Sequence, residues 1–265
     1  MPILTIIIYA VVQGITEFLP ISSSGHLVLI PSVTGWQDQG LAIDVAVHVG
    51  TLLAVVLYFW RDLWLMVAGT ARAVVGQRNP GARLTLQVAI ATIPVIVMGF
   101  VFSDVVATML RDPRVIAWAT IGFGVLLYFA DRFAMTIRRI EHMSHASAIV
   151  IGLSQALALI PGTSRSGVTM TFARILGFER TEAARFSMLL SIPTIAAAGA
   201  LTAYDLYHRG DLQLTVDAAV AASLAFLFAV PSIWLLMRVV GRFSFTPFVV
   251  YRLLLGGLLL FWIYG

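Results

Sequence analysis

Pro20-Ile-Ser-Ser-Ser-Gly-His26 and Pro161-Gly-Thr-Ser-Arg-Ser-Gly167 decide how this chain folds. Each stretch is polar, glycine-containing and led by proline, and each interrupts an apolar segment, residues 2–30 and 147–176. In a soluble protein they would be surface turns. The rest of the chain excludes that: of 265 residues, 60% are hydrophobic and 11% are charged, with a mean hydropathy of +0.94. Soluble domains carry roughly 25% charged residues, so this chain lacks the charge to coat a water-facing surface. It reads as a membrane protein. Irregular backbone at membrane depth is tolerated only where protein or a water-filled cavity satisfies its N–H and C=O groups. Both segments therefore read as re-entrant helical hairpins.

Six charge-poor runs surround them, at 42–60, 84–103, 115–130, 186–204, 218–237 and 245–263. Each is long enough, or nearly so, to cross about 30 Å of hydrocarbon as a helix. Asp44 and Arg252 are the only charges inside these runs. Arginine orients them by the excess of basic residues in cytoplasmic loops. The connection 61–83 carries four arginines, 132–145 three, 174–185 three and 238–243 two, whereas 104–114 and 205–217 are offset by aspartates. The first group is expected on the cytoplasmic side, with both termini outside. The N-terminus lacks the basic region and cleavage site of a signal peptide, so residues 1–20 are expected to stay in the mature protein.

The two hairpins are related to each other. At an offset of 142, Gln13 meets Gln155, Ser22 meets Ser164, Ser24 meets Ser166, Gly25 meets Gly167 and Gly35 meets Gly177. Three spans follow each hairpin, and an odd number inverts the second copy. The expected fold is thus an all-α integral membrane protein, six transmembrane helices plus two re-entrant hairpins in an inverted-topology repeat. It forms a single polytopic domain over 1–265, with repeats at approximately 1–140 and 141–265 and a site near the bilayer midplane.

Composition also limits the chemistry. There is no cysteine, which excludes disulfides, thiolate metal sites and cysteine nucleophiles. All 17 basic residues are arginine, which excludes Schiff-base and P-loop lysine chemistry. The arginines are scattered between apolar runs, so the net charge of +4 does not indicate nucleic acid. Glu17 is the sole charge among the first 37 residues, and Arg165 stands alone between Glu141 and Arg174. Ionisable groups stranded in membrane segments are by default functional, with a partner to be named. The alternative is a structural Glu17–Arg165 pair that joins the hairpins.

The loop around Arg165 supplies hydroxyls from Thr163, Ser164 and Ser166, a guanidinium, and the start of a helix. These are the groups a phosphate asks for. Ser22, Ser23 and Ser24 repeat the arrangement without the arginine, and two facing anion cradles suit a diphosphate. Gln13 and Glu17, four apart, share a helical face. They could hold a divalent cation that bridges phosphate oxygens, or Glu17 could be a base positioned by Gln13. His26 is a candidate general acid, base or nucleophile. Asp44 and His48 read as supporting or interface residues, and His142, His145 and His208 as solvated.

Gln13-Gly-Ile-Thr-Glu17, the Phe-Leu-Pro-Ile-Ser-Ser-Ser-Gly-His26 that follows, and Pro161-Gly-Thr-Ser-Arg-Ser-Gly-Val-Thr169 resemble the undecaprenyl-pyrophosphate phosphatase family, the integral membrane bacitracin-resistance proteins of bacteria. The resemblance implies hydrolysis of undecaprenyl diphosphate to undecaprenyl phosphate and inorganic phosphate. That reaction recycles the lipid carrier for peptidoglycan. It also implies functional roles for Glu17, Ser23, His26 and Arg165, a divalent cation (Mg²⁺ or Ca²⁺), and a bacterial inner-membrane site facing the periplasm. Gln13 replaces the glutamate found there in some members, so Glu17 must carry most of the metal or base role. Ser23 is the candidate nucleophile, with a phosphohistidine at His26 or direct attack by metal-bound water left open. The partner is a polyprenyl diphosphate lipid. A homodimer is compatible with the sequence, which is silent on oligomeric state. The rival function is a carrier for polyprenyl phosphate or a small anion, because broken-helix inverted repeats are common in transporters.

Overall fold

The computed structural model describes residues 2–37, 39–102, 110, 112–134, 136–209 and 212–265, with the backbone alone for 41, 198, 201–209, 212 and 213. Regular structure among them is helical, apart from one isolated bridge between Arg138 and Phe178. The helices are α1 (Ile3–Thr16), α2 (Ser23–Thr34), α3 (Gly40–Tyr58), α4 (Trp60–Val74), α5 (Pro80–Val101), α6 (Pro113–Phe133), α7 (His145–Ala156), α8 (Arg165–Ile175), α9 (Arg180–Arg209), α10 (Leu212–Val240) and α11 (Thr246–Tyr264).

Local sequence sets several of their starts. Asn79 and Asp112 cap α5 and α6 by accepting the amides of Gly81 and Arg114, each followed by proline at the first helical position. A short polar acceptor there satisfies an otherwise orphaned N–H, and proline has no N–H to lose. Among the described residues four helices, Pro80–Val101, Pro113–Phe133, Leu214–Val240 and Thr246–Tyr264, are long and apolar enough to cross a membrane. The bent pair Ala42–Tyr58 and Trp60–Val74 would make a fifth.

Side chains are distributed as lipid demands. Phe100, Phe133 and Phe261 are 86%, 73% and 76% exposed, whereas Gln13, Gln155, Ser166 and Arg252 are wholly buried. A soluble bundle would reverse this, because water solvates polar groups and expels aromatic rings. The protein is a multi-pass helical membrane protein.

Two expected connections differ. Residues 61–83 do not form a plain loop: α4 occupies most of them, turned 77° from α3 at Phe59. Its Met66 and Gly69 are buried, and the backbone of Gly81 stands where a side chain on Gly69 would be. Counting charges registers Arg61 and Arg72 as breaks but misses the apolar stripe between them. The connection 205–217 is helical in backbone through Arg209 and again from Leu212. Residues 103–109, 111, 210 and 211, and the side chain of His208, lie outside the described residues. His142 and His145 are exposed, as expected.

Packing runs crosswise between the two halves. Gly14 of α1 approaches Ala225 of α10, where an added Cβ would lie 2.7 Å from its carbonyl oxygen. Gly152 of α7 similarly approaches Ala91 of α5, at 2.5 Å. Small residues let backbones touch where the hydrophobic effect provides no drive between helices. At one end, Asp131 accepts hydrogen bonds from Arg174 Nε (3.0 Å), Arg180 Nε (2.7 Å) and the amide of Phe245 (3.0 Å). Arg174, expected in a connection, is buried in α8. Arg185 of α9 pairs with Asp62 of α4, tying the two helices together.

Candidate functional site

The two polar interruptions bring two helix starts together. In both loops a serine caps the following helix from a left-handed conformation: Ser22 at φ 74° and Ser164 at φ 71°. Ser22 Oγ accepts the amide of Gly25 (3.3 Å) and Ser164 Oγ that of Gly167 (3.1 Å). Among the described residues these are the two non-glycine positions with positive φ. Such a conformation costs of order 1–3 kcal/mol and persists only where its surroundings impose it.

Glu17 follows the last turn of α1 and is buried. Its carboxylate gathers the other candidates. Oε2 accepts Ser23 Oγ at 2.6 Å and Gln13 Nε2 at 2.9 Å, while Oε1 accepts Arg165 Nη2 at 3.1 Å. Arg165 also donates to the Ser187 carbonyl (3.1 Å), and its buried Nε has no protein partner. Ser166 Oγ donates to the Leu19 carbonyl at 3.1 Å, stitching the start of α8 to the turn after α1. Four of the expected residues, Gln13, Glu17, Ser23 and Arg165, thus form one hydrogen-bonded unit.

Others serve differently. Ser22 and Ser164 spend their hydroxyls on capping, with Ser24 and Ser166 beside them at 3.4 and 3.1 Å. Thr163 Oγ1 is buried without a partner. His26 is turned from Glu17: Nδ1 lies 2.7 Å from the Ser22 carbonyl and Nε2 lies 2.6 Å from Tyr251 Oη, on which its ring stacks. His48, read as a supporting residue, comes to 3.6 Å from Glu17 Oε2, with Nδ1 on the Asp44 carbonyl.

Two residues escaped the sequence reading of the site. Tyr251 gave no signal, being one aromatic in an apolar helix. Arg252 did give one, as a lone cation inside a span, but its location was legible only in three dimensions. It lies beneath both loops and bonds to their carbonyls.

For a divalent cation, the donors are the Glu17 carboxylate and the Gln13 amide oxygen, which is buried and unpartnered. No group of three His, Asp or Glu stands together among the described residues. Magnesium normally takes one or two carboxylates plus substrate phosphate. The set therefore fits a cation shared with a phosphate ligand better than one caged by protein alone.

Fold and site define a class: a polytopic helical membrane protein that buries a carboxylate, a hydroxyl and a guanidinium where two serine-capped helices meet. The family model described as bacitracin resistance protein BacA matches residues 6–258. A protein of Jannaschia sp. (strain CCS1) named undecaprenyl-diphosphatase is 51% identical over 98% of both chains. One of the same name from Roseobacter denitrificans is 50% identical over the full length of both, and undecaprenyl-diphosphatase 1 of Rhodospirillum rubrum is 49% identical over 98% of this chain and 95% of its own. The chain belongs to the bacitracin resistance protein BacA family.

Proposed function

We propose that this protein is an undecaprenyl-diphosphate phosphatase, a membrane hydrolase that converts undecaprenyl diphosphate to undecaprenyl phosphate and inorganic phosphate. It thereby recycles the lipid carrier for cell-wall synthesis and confers bacitracin resistance. The observation that carries this reading is the convergence of Ser23 and Arg165 on the Glu17 carboxylate. Full-length relatives at about half identity are named for the same activity.

Ser23 attacks the terminal phosphorus. Its Oγ–P bond forms as the bond to the bridging oxygen breaks, and its proton passes to Glu17 Oε2, to which it is already hydrogen-bonded. Undecaprenyl phosphate departs. Water then attacks the phosphoserine, and Glu17 returns the proton to Ser23 Oγ as inorganic phosphate leaves. Phosphoryl transfer depends mostly on positioning and electrostatics, so Arg165 carries the phosphate charge in both halves. Because Arg165 also holds Glu17, it orients base and substrate together. Ser22, Ser24, Thr163, Ser164 and Ser166 line the two turns that receive the diphosphate. His26 fixes the Ser22 turn, and protonation of a leaving group by it requires its Nε2 to exchange Tyr251 for substrate. A divalent cation, Mg²⁺ or Ca²⁺, held by Glu17 and Gln13, would neutralise diphosphate oxygens when bound.

The topology we assign is six spans with two re-entrant hairpins in an inverted repeat of 1–140 and 141–265. It is supported by the matching conformations of Ser22 and Ser164 and by the crosswise packing of α1 on α10 and α7 on α5. The end holding Asp131, Arg174, Arg180 and Arg138 is assigned to the cytoplasm of the inner membrane, and the diphosphate site to the periplasmic side.

The test is phosphate release. Detergent-purified protein is given farnesyl or undecaprenyl diphosphate with Mg²⁺ or Ca²⁺, for the parent, Glu17→Ala and Arg165→Ala. Cation-dependent release by the parent alone supports the assignment, and no release by the parent overturns it. Lipid movement in liposomes that survives Glu17→Ala would instead reveal a carrier.

A further inference from the structure

Arg252 of α11 is fully buried, yet no described carboxylate pairs with it. Its hydrogen bonds all go to main-chain carbonyls. Nη1 donates to Pro20 (3.2 Å) and Thr163 (3.0 Å), and Nη2 to Gly162 (2.8 Å) and Ala119 (3.4 Å). Nε donates to Thr120 at 2.9 Å. Pro20 belongs to the turn that leads into Ser22 and Ser23, whereas Gly162 and Thr163 lead into Ser164 and Arg165. Ala119 and Thr120 belong to α6, so one guanidinium bolts both turns to a common helix.

The rigid fork of the guanidinium makes this arrangement demanding. A peptide plane carries C=O and N–H on opposite sides, so turning the Thr163 carbonyl onto Arg252 aims the Ser164 amide away from it. The turns also abut each other: a Cβ on Gly25 would lie 3.5 Å from Gly162 Cα, and one on Gly167 would lie 3.0 Å from Arg252 Nη1. An ionised group kept from water is costly unless paired. Five carbonyl dipoles supply part of the compensation. With Glu17 and Arg165 cancelling each other, the positive charge of Arg252 remains for an anion in the adjoining turns to neutralise.

We propose that Arg252 is a positioning residue that holds the two turns in register for a diphosphate headgroup and supplies the unbalanced positive charge that attracts it. The proposal rests on the phosphatase reading for the identity of the ligand. Its binding arm is independent of turnover.

The experiment uses Arg252→Lys, Arg252→Gln and Gly124→Ala in the full chain, with melting temperature, kcat and KM for phosphate release, and affinity for inorganic pyrophosphate by calorimetry. Arg252→Lys keeps the charge but cannot reach five acceptors. It should hold pyrophosphate affinity within a few-fold while kcat falls about 10–100-fold, the scale of a misplaced reacting group. Arg252→Gln should lose both, with pyrophosphate affinity down at least about tenfold, the scale of a desolvated charge. Gly124→Ala tests the same bolt from behind, since its Cβ would lie 3.2 Å from Arg252 Cβ and 3.3 Å from Nε. It should lower kcat several-fold and leave KM and pyrophosphate affinity in place, and it decides the matter if Arg252→Gln does not fold. A folded Arg252→Gln with kcat and pyrophosphate affinity within twofold of the parent overturns the proposal, as does a Gly124→Ala enzyme with parental kcat. A parent that binds pyrophosphate but releases no phosphate sinks the phosphatase reading and leaves the charge argument standing.

Discussion

Glu17→Gln separates what the central carboxylate does from what it holds. The amide is nearly isosteric and keeps an acceptor oxygen, so the Arg165 contact at 3.1 Å can survive in weaker form. What disappears is the negative charge and the ability to take the Ser23 proton across the 2.6 Å bond. Positioned general bases contribute about 10²–10⁴-fold, which at about 1.36 kcal/mol per decade is about 2.7–5.4 kcal/mol of barrier. KM should not rise, because a neutral amide holds Arg165 more weakly than the carboxylate does and leaves its positive charge unbalanced for phosphate. Inorganic phosphate should therefore inhibit the variant at least as well as the parent. Glu17→Asp completes the series. It restores the charge but withdraws the carboxylate by one methylene, and kcat should fall between the two. The assay is release of phosphate from farnesyl diphosphate at saturating cation, with kcat and KM resolved separately and the melting temperature measured in the same detergent. A Glu17→Gln enzyme that keeps more than a tenth of parental kcat would refute the reasoning. So would a loss that merely tracks thermal stability, since the pair would then be a structural tie between the two polar turns.

Three further outcomes follow from particular contacts. Asp131→Ala strips the buried Arg174 of its partner and should cost about 3–5 kcal/mol, the penalty for breaking a buried ion pair, read as a large fall in melting temperature. Gly50→Ala would place a Cβ 2.0 Å from the Ala222 carbonyl where α3 and α10 touch. Overpacking of this kind costs about 1–3 kcal/mol, so thermal stability should drop while kcat per folded molecule stays near parental. Tyr251→Phe removes the hydroxyl 2.6 Å from His26 Nε2 and should cost about 1 kcal/mol of stability. Activity should change by less than tenfold if the Ser22 carbonyl is the contact that fixes the imidazole. A fall as deep as that of His26→Ala would show that Tyr251 is part of the proton path.

Much of the site was legible because membrane sequences are sparing with charge. Glu17 and Arg165 stood out as isolated ionisable groups in apolar segments, and they are in contact although 148 residues apart. The repeated Ser-x-Ser-Gly pattern located both turns, and the two serines at its head share the same uncommon backbone conformation. His26 and His48 were harder. Spacing from the serines favoured His26, but helix phase turns its ring toward Tyr251, while α3 carries His48 to the Glu17 carboxylate. No local pattern distinguishes the two, because the choice depends on how α3 packs against α1.

The amphipathic α4 is hidden in the sequence for a related reason. Its arginines resembled loop charges, and only contact with α5 shows that Met66 and Gly69 face inward.

By itself, the sequence determined that this protein is helical and membrane-embedded, that its two polar interruptions share a Ser-x-Ser-Gly pattern, and that any basic side chain it offers to a phosphate is arginine, since there is no lysine. Those conclusions depend on composition and on the cost of charge in hydrocarbon, both of which are local properties. The tertiary structure decided which groups meet: that Ser23, Gln13 and Arg165 converge on Glu17, and that Arg252 spans both turns from a helix at the far end of the chain. Those contacts join residues up to 232 positions apart, and only the packing of helices against one another sets them.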